Sequence, residues 1–115
     1  MSKKINQINE LLKRTIGEIV LKDFDTPKDA LITVTRVETE SSLIRSKVFF
    51  SILPQEKEEE IIASLRKYIY YIQQGVNKKL KIRPVPKIFF VAEKNIEKTI
   101  RIEEILTKIK KDKAW

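Results

Sequence analysis

The chain has no cysteine and no histidine, and only two glycines among its 115 residues. Without cysteine there is no disulfide, no thiolate nucleophile and no cysteine-ligated zinc or iron–sulfur site. Without histidine, the usual acid–base group of neutral-pH catalysis and the commonest metal ligand are both missing. Gly17 and Gly75 stand alone, so neither a P-loop nor a dinucleotide fingerprint can be assembled. The Gly-x-x-Gly loop that clamps a nucleic-acid backbone is missing for the same reason. No apolar run approaches the roughly 20 residues that span a bilayer. The expectation is a protein that is not an enzyme, with no catalytic residue, no metal, no cofactor, no small-molecule substrate and no membrane segment.

What is present is positive charge. Lys and Arg number 24 against 16 Asp and Glu, for a net charge of +8 and a pI near 9.7. Such a field attracts polyanions by releasing their condensed counterions, which makes nucleic acid the first partner to consider. With 42% hydrophobic residues, the length suits one domain with one modest core. The start, Met1 to Asn6, is charged and then polar, without the apolar core of a secretory signal. A cytoplasmic location is therefore expected.

Ile5, Ile8, Leu11, Leu12, Ile16, Ile19 and Val20 recur at spacings of three and four, which predicts an amphipathic helix from Lys3 to Lys22 with Ser2 as its cap. Leu31 to Thr39 is rich in β-branched residues and Leu43 to Leu53 alternates, which predicts two antiparallel strands joined at Glu40-Ser41-Ser42. In the second strand Ile44, Ser46, Val48, Phe50 and Ile52 share one face, and Arg45, Lys47, Phe49 and Ser51 the other. After Pro54, an acidic run from Glu56 to Glu60 opens a long helical pattern carried by Ile61, Leu65, Ile69, Ile72, Val76 and Leu80. Gly75 lies inside that pattern, so a bend or break is expected in this helix. Pro84 and Pro86 then stop the helix and lead into a third strand, Lys87 to Ala92. Ile102, Ile105, Leu106 and Ile109 predict a last helix before a frayed polar tail, residues 110–115. The order is that of an α+β two-layer sandwich, a single domain over residues 1–109 whose helices cover one sheet face.

The stretch from Arg66 to Lys87 holds Arg66, Lys67, Lys78, Lys79, Lys81, Arg83 and Lys87, no acidic residue, and the interleaved tyrosines Tyr68, Tyr70 and Tyr71. Lysines and arginines there can pair with phosphates, and Tyr70 or Tyr71 can stack on an unpaired base. Tyrosines on a helix also pack as core or boundary residues. Arg45 and Lys47, on the strand face opposite Val48 and Phe50, should be exposed and extend the basic surface. Two further groups, Lys3, Lys4, Lys13 and Arg14 in the first helix and Lys108, Lys110, Lys111 and Lys113 in the tail, read as solvated lysines. The acidic residues Glu56, Glu58, Glu59 and Glu60 read as helix-start and solubility residues.

Three segments resemble the bacterial ribosome-binding factor A family. Leu31-Ile32-Thr33-Val34-Thr35-Arg36-Val37-Glu38, then Leu43 and Ser46-Lys47-Val48-Phe49-Phe50-Ser51, is similar to its threonine-valine-threonine strand and its alanine-lysine-valine-aromatic strand. Leu80 to Phe90 is similar to its leucine-arginine-x-x-proline-glutamate-leucine-x-phenylalanine segment, and the first-helix pattern is the third. The resemblance implies a KH-like fold of type II in which a helix-kink-helix replaces the glycine clamp. It also implies a late assembly factor that binds free small ribosomal subunits and their rRNA, aids 5′-end processing of that rRNA and supports growth in the cold. The family's alanine-x-glycine kink aligns with Tyr68-Ile69-Tyr70, so the kink is expected there, or moved towards Gly75, or lost. The family's helix arginine beyond the kink aligns with Gln73, whereas Lys47, Lys78, Lys81 and Arg83 keep the basic pattern. The expected protein is a monomer that grips small-subunit rRNA through Lys47, Arg66, Lys67, Lys78, Lys79, Lys81, Arg83 and Lys87. The rival expectation is a basic protein–protein interaction module or regulator that makes no contact with rRNA.

Overall fold

The computed structural model describes residues 3–93. The expected last helix and polar tail, the lysines from Lys108 onward and the Ser2 cap lie outside the described residues.

Helix α1 runs from Lys3–Asp23 and buries Ile5, Ile8, Leu12, Ile16, Ile19 and Val20 along one stripe. Strand β1 (Leu31–Thr39) pairs antiparallel with β2 (Arg45–Leu53), and β3 (Lys87–Ala92) pairs parallel to β2 on its other side. Between β2 and β3 come a short 3₁₀ turn (Gln55–Lys57) and two helices, α2 (Glu58–Lys67) and α3 (Ile69–Lys79). A parallel neighbour requires a crossover, and α2 and α3 supply it while covering the same sheet face as α1. The described residues thus form an α+β sandwich with helices on one face and the other face open.

The core lies between these layers. Leu12, Ile16, Val48, Phe50, Leu65 and Val76 are fully enclosed, and burying an aliphatic or aromatic side chain of this kind contributes roughly 1.5–3 kcal/mol. Phe50 and Phe90 meet edge to face with centroids 5.0 Å apart, joining the two parallel strands on the core side. Thr39 and Ser46, both buried, satisfy each other through a 2.7 Å hydroxyl contact.

Two details of the hairpin depart from plain alternation. Ile44, assigned by alternation to the core face, is 64% exposed. The strand begins only at Arg45, and Leu43 before it adopts φ 63°, a left-handed turn that reverses the chain and breaks the alternation at that point. In β1 the register slips between Val34 and Arg36. This bulge at Thr35 lets Val34 and Val37, three residues apart, both face the core and turns Arg36 outward beside Phe49.

The long helix breaks at Tyr68, which ends α2 and precedes α3 with φ −92° and ψ 5°. Gly75 is not the break, because it lies in the middle of α3. Its role is close approach: a Cβ added there would stand 2.9 Å from Cδ1 of the buried Ile19 on α1. Gly17 has nothing within 4 Å of such a Cβ.

Candidate nucleic-acid interface

The acid-free stretch from Arg66 to Lys87 becomes two regions, one at each end of α3. At 1.5 Å per residue the 11 residues of this helix hold them about 16 Å apart.

At the kink, Arg66 sends Nε and Nη2 to the carbonyl oxygen of Phe90, at 3.2 and 3.0 Å, and so ties the end of α2 to β3. Lys67 beside it is exposed and has no ion pair or hydrogen bond within the described residues. Tyr68 packs edge-on against Phe24, beyond the end of α1, with centroids 5.7 Å apart at 89°. The Tyr71 hydroxyl donates to the Asp23 carboxylate at 3.3 Å. Both rings are therefore braces that hold the kink against α1. Tyr70 differs: it is 75% exposed and makes no contact of this kind.

At the other end, Lys78 and Lys79 close α3, and Lys81 follows in the connection to β3. All three are exposed, and none of their ammonium groups has an ion pair or hydrogen bond among the described residues. Unlike Lys57, whose ammonium is engaged by Asp29 and holds that carboxyl below its ordinary pKa, these cations are free for an outside anion. Arg83 is committed differently, with Nη1 donating to the carbonyls of Leu80 at 2.9 Å and Ile82 at 2.6 Å. It thereby satisfies a carbonyl at the α3 C-terminus that no helical N–H can reach.

Gln73, facing β3 from within α3, was not singled out as a site residue from sequence. Its amide nitrogen donates to the Pro86 carbonyl at 3.2 Å, and its oxygen accepts the Ile88 N–H at 2.9 Å. Together with Arg66 it occupies backbone groups on the edge of β3 away from β2. Asn9 of α1 likewise accepts the Thr39 N–H on the β1 edge at 3.0 Å. No local pattern marks these residues, since each partner is at least 13 positions away.

Lys47 and Lys87 are exposed on the open face of the sheet, where Lys47 lies opposite Phe89 and Lys87 opposite Arg45. They share the β2–β3 end that the Lys81–Pro86 connection enters. The structure therefore brings Lys78, Lys79, Lys81, Lys87 and Lys47 around one end of the sandwich and leaves Lys67 and Tyr70 at the other. Among the described residues there is no group of three or more carboxylates that could hold a metal ion, and no helix long and apolar enough to cross a membrane.

Comparison with known proteins agrees with this architecture. The family model for ribosome-binding factor A matches residues 4–106. Ribosome-binding factor A of Halothermothrix orenii is 34% identical over 110 residues, which are 95% of this chain and 90% of that one. The crystal structure of ribosome-binding factor A from Thermus thermophilus superposes with a TM-score of 0.67 at 18% identity, covering 76% of this chain and 94% of that one. A Thermus thermophilus homology model, fitted into a cryo-EM map of a 30S complex of that protein, superposes at 0.63 with 19% identity, covering 72% and 88% of the two chains. At these identities the two superpositions speak for the fold.

Proposed function

Since the chain belongs to the ribosome-binding factor A family, we propose that it is an assembly factor that binds free small ribosomal subunits in the cytoplasm and aids late maturation and 5′-end processing of their rRNA. The observation that carries this reading is the set of lysines at the α3 C-terminus, Lys78, Lys79 and Lys81, unpaired among the described residues, on a chain of net charge +8. Such cations bind phosphate with an affinity that falls steeply with salt, which is how a protein engages folded rRNA without reading its sequence. The protein works by affinity alone: binding one rRNA conformation better than another shifts their balance by that difference, with no covalent step.

A monomeric state fits the edges of the sheet. Asn9 on one side, and Gln73 and Arg66 on the other, occupy backbone groups that a second copy would need for strand pairing.

Sedimentation of a cell extract tests the reading. The protein should travel with free small subunits and be absent from joined ribosomes, and cells lacking it should accumulate unprocessed 5′ ends, most severely in the cold. A protein that ignores small subunits would instead be an interaction module that uses its charge for solubility, and the assembly reading would be lost.

A further inference from the structure

The sheet face opposite the helices carries aromatic rings and cations in an ordered array. Paired positions form rows across the strands: Glu38, Lys47 and Phe89 in one, Arg36, Phe49 and Val91 in the next, with Arg45 beside Lys87 at the end. Part of this array lines a concavity of about 680 Å³, bounded by Glu38, Glu40, Arg45, Lys47, Phe89 and Val91, within the roughly 300–1,000 Å³ of clefts that hold small organic groups. Phe89 is 38% exposed.

The charges of the face are sorted. Arg36 is held by Glu38 and by Glu93, and Arg45 by Glu40 at 2.9 Å. Arg36 is shared by two carboxylates, so these acids outnumber the two arginines by one, and Lys47 and Lys87 remain without an ion pair among the described residues. The Lys87 ammonium is 5.6 Å from the Phe89 ring centroid. The Arg36 guanidinium carbon lies over Phe49, 3.8 Å from its centroid, in the row beside that of Phe89 and on the opposite outer strand.

From this array we infer that the open face is a second RNA contact, specific for a short unpaired segment: one base stacks on Phe89, a base further along the strand meets the Arg36 guanidinium, and Lys47 and Lys87 take phosphates beside Phe89. Rings and guanidinium planes bind bases only where these are unstacked, and a duplex hides them. Lys47 and Lys87 together outweigh the one excess carboxylate and leave the named groups of the face net positive, the sign that a phosphate backbone requires. This contact rests on the RNA-binding reading proposed above and adds to it the class of RNA recognised. The Lys78–Lys81 end takes phosphates of folded rRNA, whereas this face takes a single strand.

The test uses the full chain and a fluorescein-labelled, single-stranded RNA hexamer of mixed sequence, with a duplex of the same length as comparison, followed by anisotropy. The hexamer should bind more tightly than the duplex. F89A should weaken the hexamer by about 5- to 100-fold, the range for losing one base–aromatic stack, with an unchanged melting curve, and F89Y should restore binding. K47A should weaken it and flatten its salt dependence. Equal hexamer affinity for F89A and the parent, or equal loss for hexamer and duplex, would overturn the inference. F89C supplies the only thiol in the chain; its protection from a maleimide in the free protein would show the face already covered by the chain's own residues and would also overturn it. Sedimentation with small subunits keeps the two proposals apart. If the parent binds subunits and F89A still binds hexamer normally, this inference alone falls. A parent that ignores subunits but binds hexamer through Phe89 removes the ribosomal reading alone.

Discussion

The two ends of α3 are both basic but put their side chains to different purposes. At the kink, Arg66 grips the Phe90 carbonyl, Tyr68 leans on Phe24 and Tyr71 bonds to Asp23. At the C-terminal end, Lys78, Lys79 and Lys81 touch nothing charged among the described residues. An arginine with five fixed donors can staple backbone carbonyls across elements, whereas a lysine is a hydrated point charge that stays available. A basic stretch is therefore not one binding surface. Its arginines hold the fold while its lysines face outward.

That contrast is sharpest for stability. Arg66→Ala leaves the Phe90 carbonyl without its charged donor and should cost about 1.5–3 kcal/mol, read as a drop in melting temperature. Lys67→Ala, one residue on, should leave melting within about 0.5 kcal/mol. Equal effects would erase the division between engaged and free cations.

At the other end the order reverses. The Lys79→Ala, Lys81→Ala double variant should melt like the parent but bind small-subunit rRNA roughly tenfold more weakly at moderate salt. The slope of log affinity against log salt should fall by about 1.4–1.8 for two lost phosphate contacts. Filter binding over a salt series checks both. An unchanged slope would remove this end from the interface.

The tyrosines give a smaller test. Tyr68→Ala loses an edge-to-face ring pair and should cost about 1 kcal/mol in chemical denaturation, whereas Tyr70→Ala should cost nothing measurable. The smallest expected effect concerns the glycines. Gly17→Ala should stabilise by roughly 0.5–1 kcal/mol, the helix-propensity gain in open space. Gly75→Ala should gain nothing, because its new methyl would press on Ile19. Denaturant midpoints of the two variants separate these outcomes.

Much of the fold was legible because it depends on local periodicity. The spacing from Ile5 to Val20 marks α1, the prolines bound β3, and alternation from Arg45 to Leu53 separates the exposed Arg45 and Lys47 from the buried Val48 and Phe50. The limits of that reading are equally specific. Ile44 left the core face because a left-handed Leu43 precedes it, and the bulge at Thr35 depends on pairing with a strand 14 positions away. The break at Tyr68, aligned with the family's alanine-x-glycine, was foreseen only as one of several outcomes. Two bulky tyrosines can stand at a kink when Phe24 and Asp23 receive them, and neither partner is adjacent in sequence.

By itself, then, the sequence determined the element types, the composition of the core, the excess of positive charge and, through its three segments, the family. These follow from side-chain period, turn residues and charge, which act over a few positions. Only the tertiary structure decided which cations are free. Whether Arg66, Gln73 or Lys79 meets solvent or a carbonyl depends on what the crossover lays against the β3 edge, a contact between residues distant in the chain. It also decided that Phe89, Lys47 and Arg36, from three different strands, share one open face.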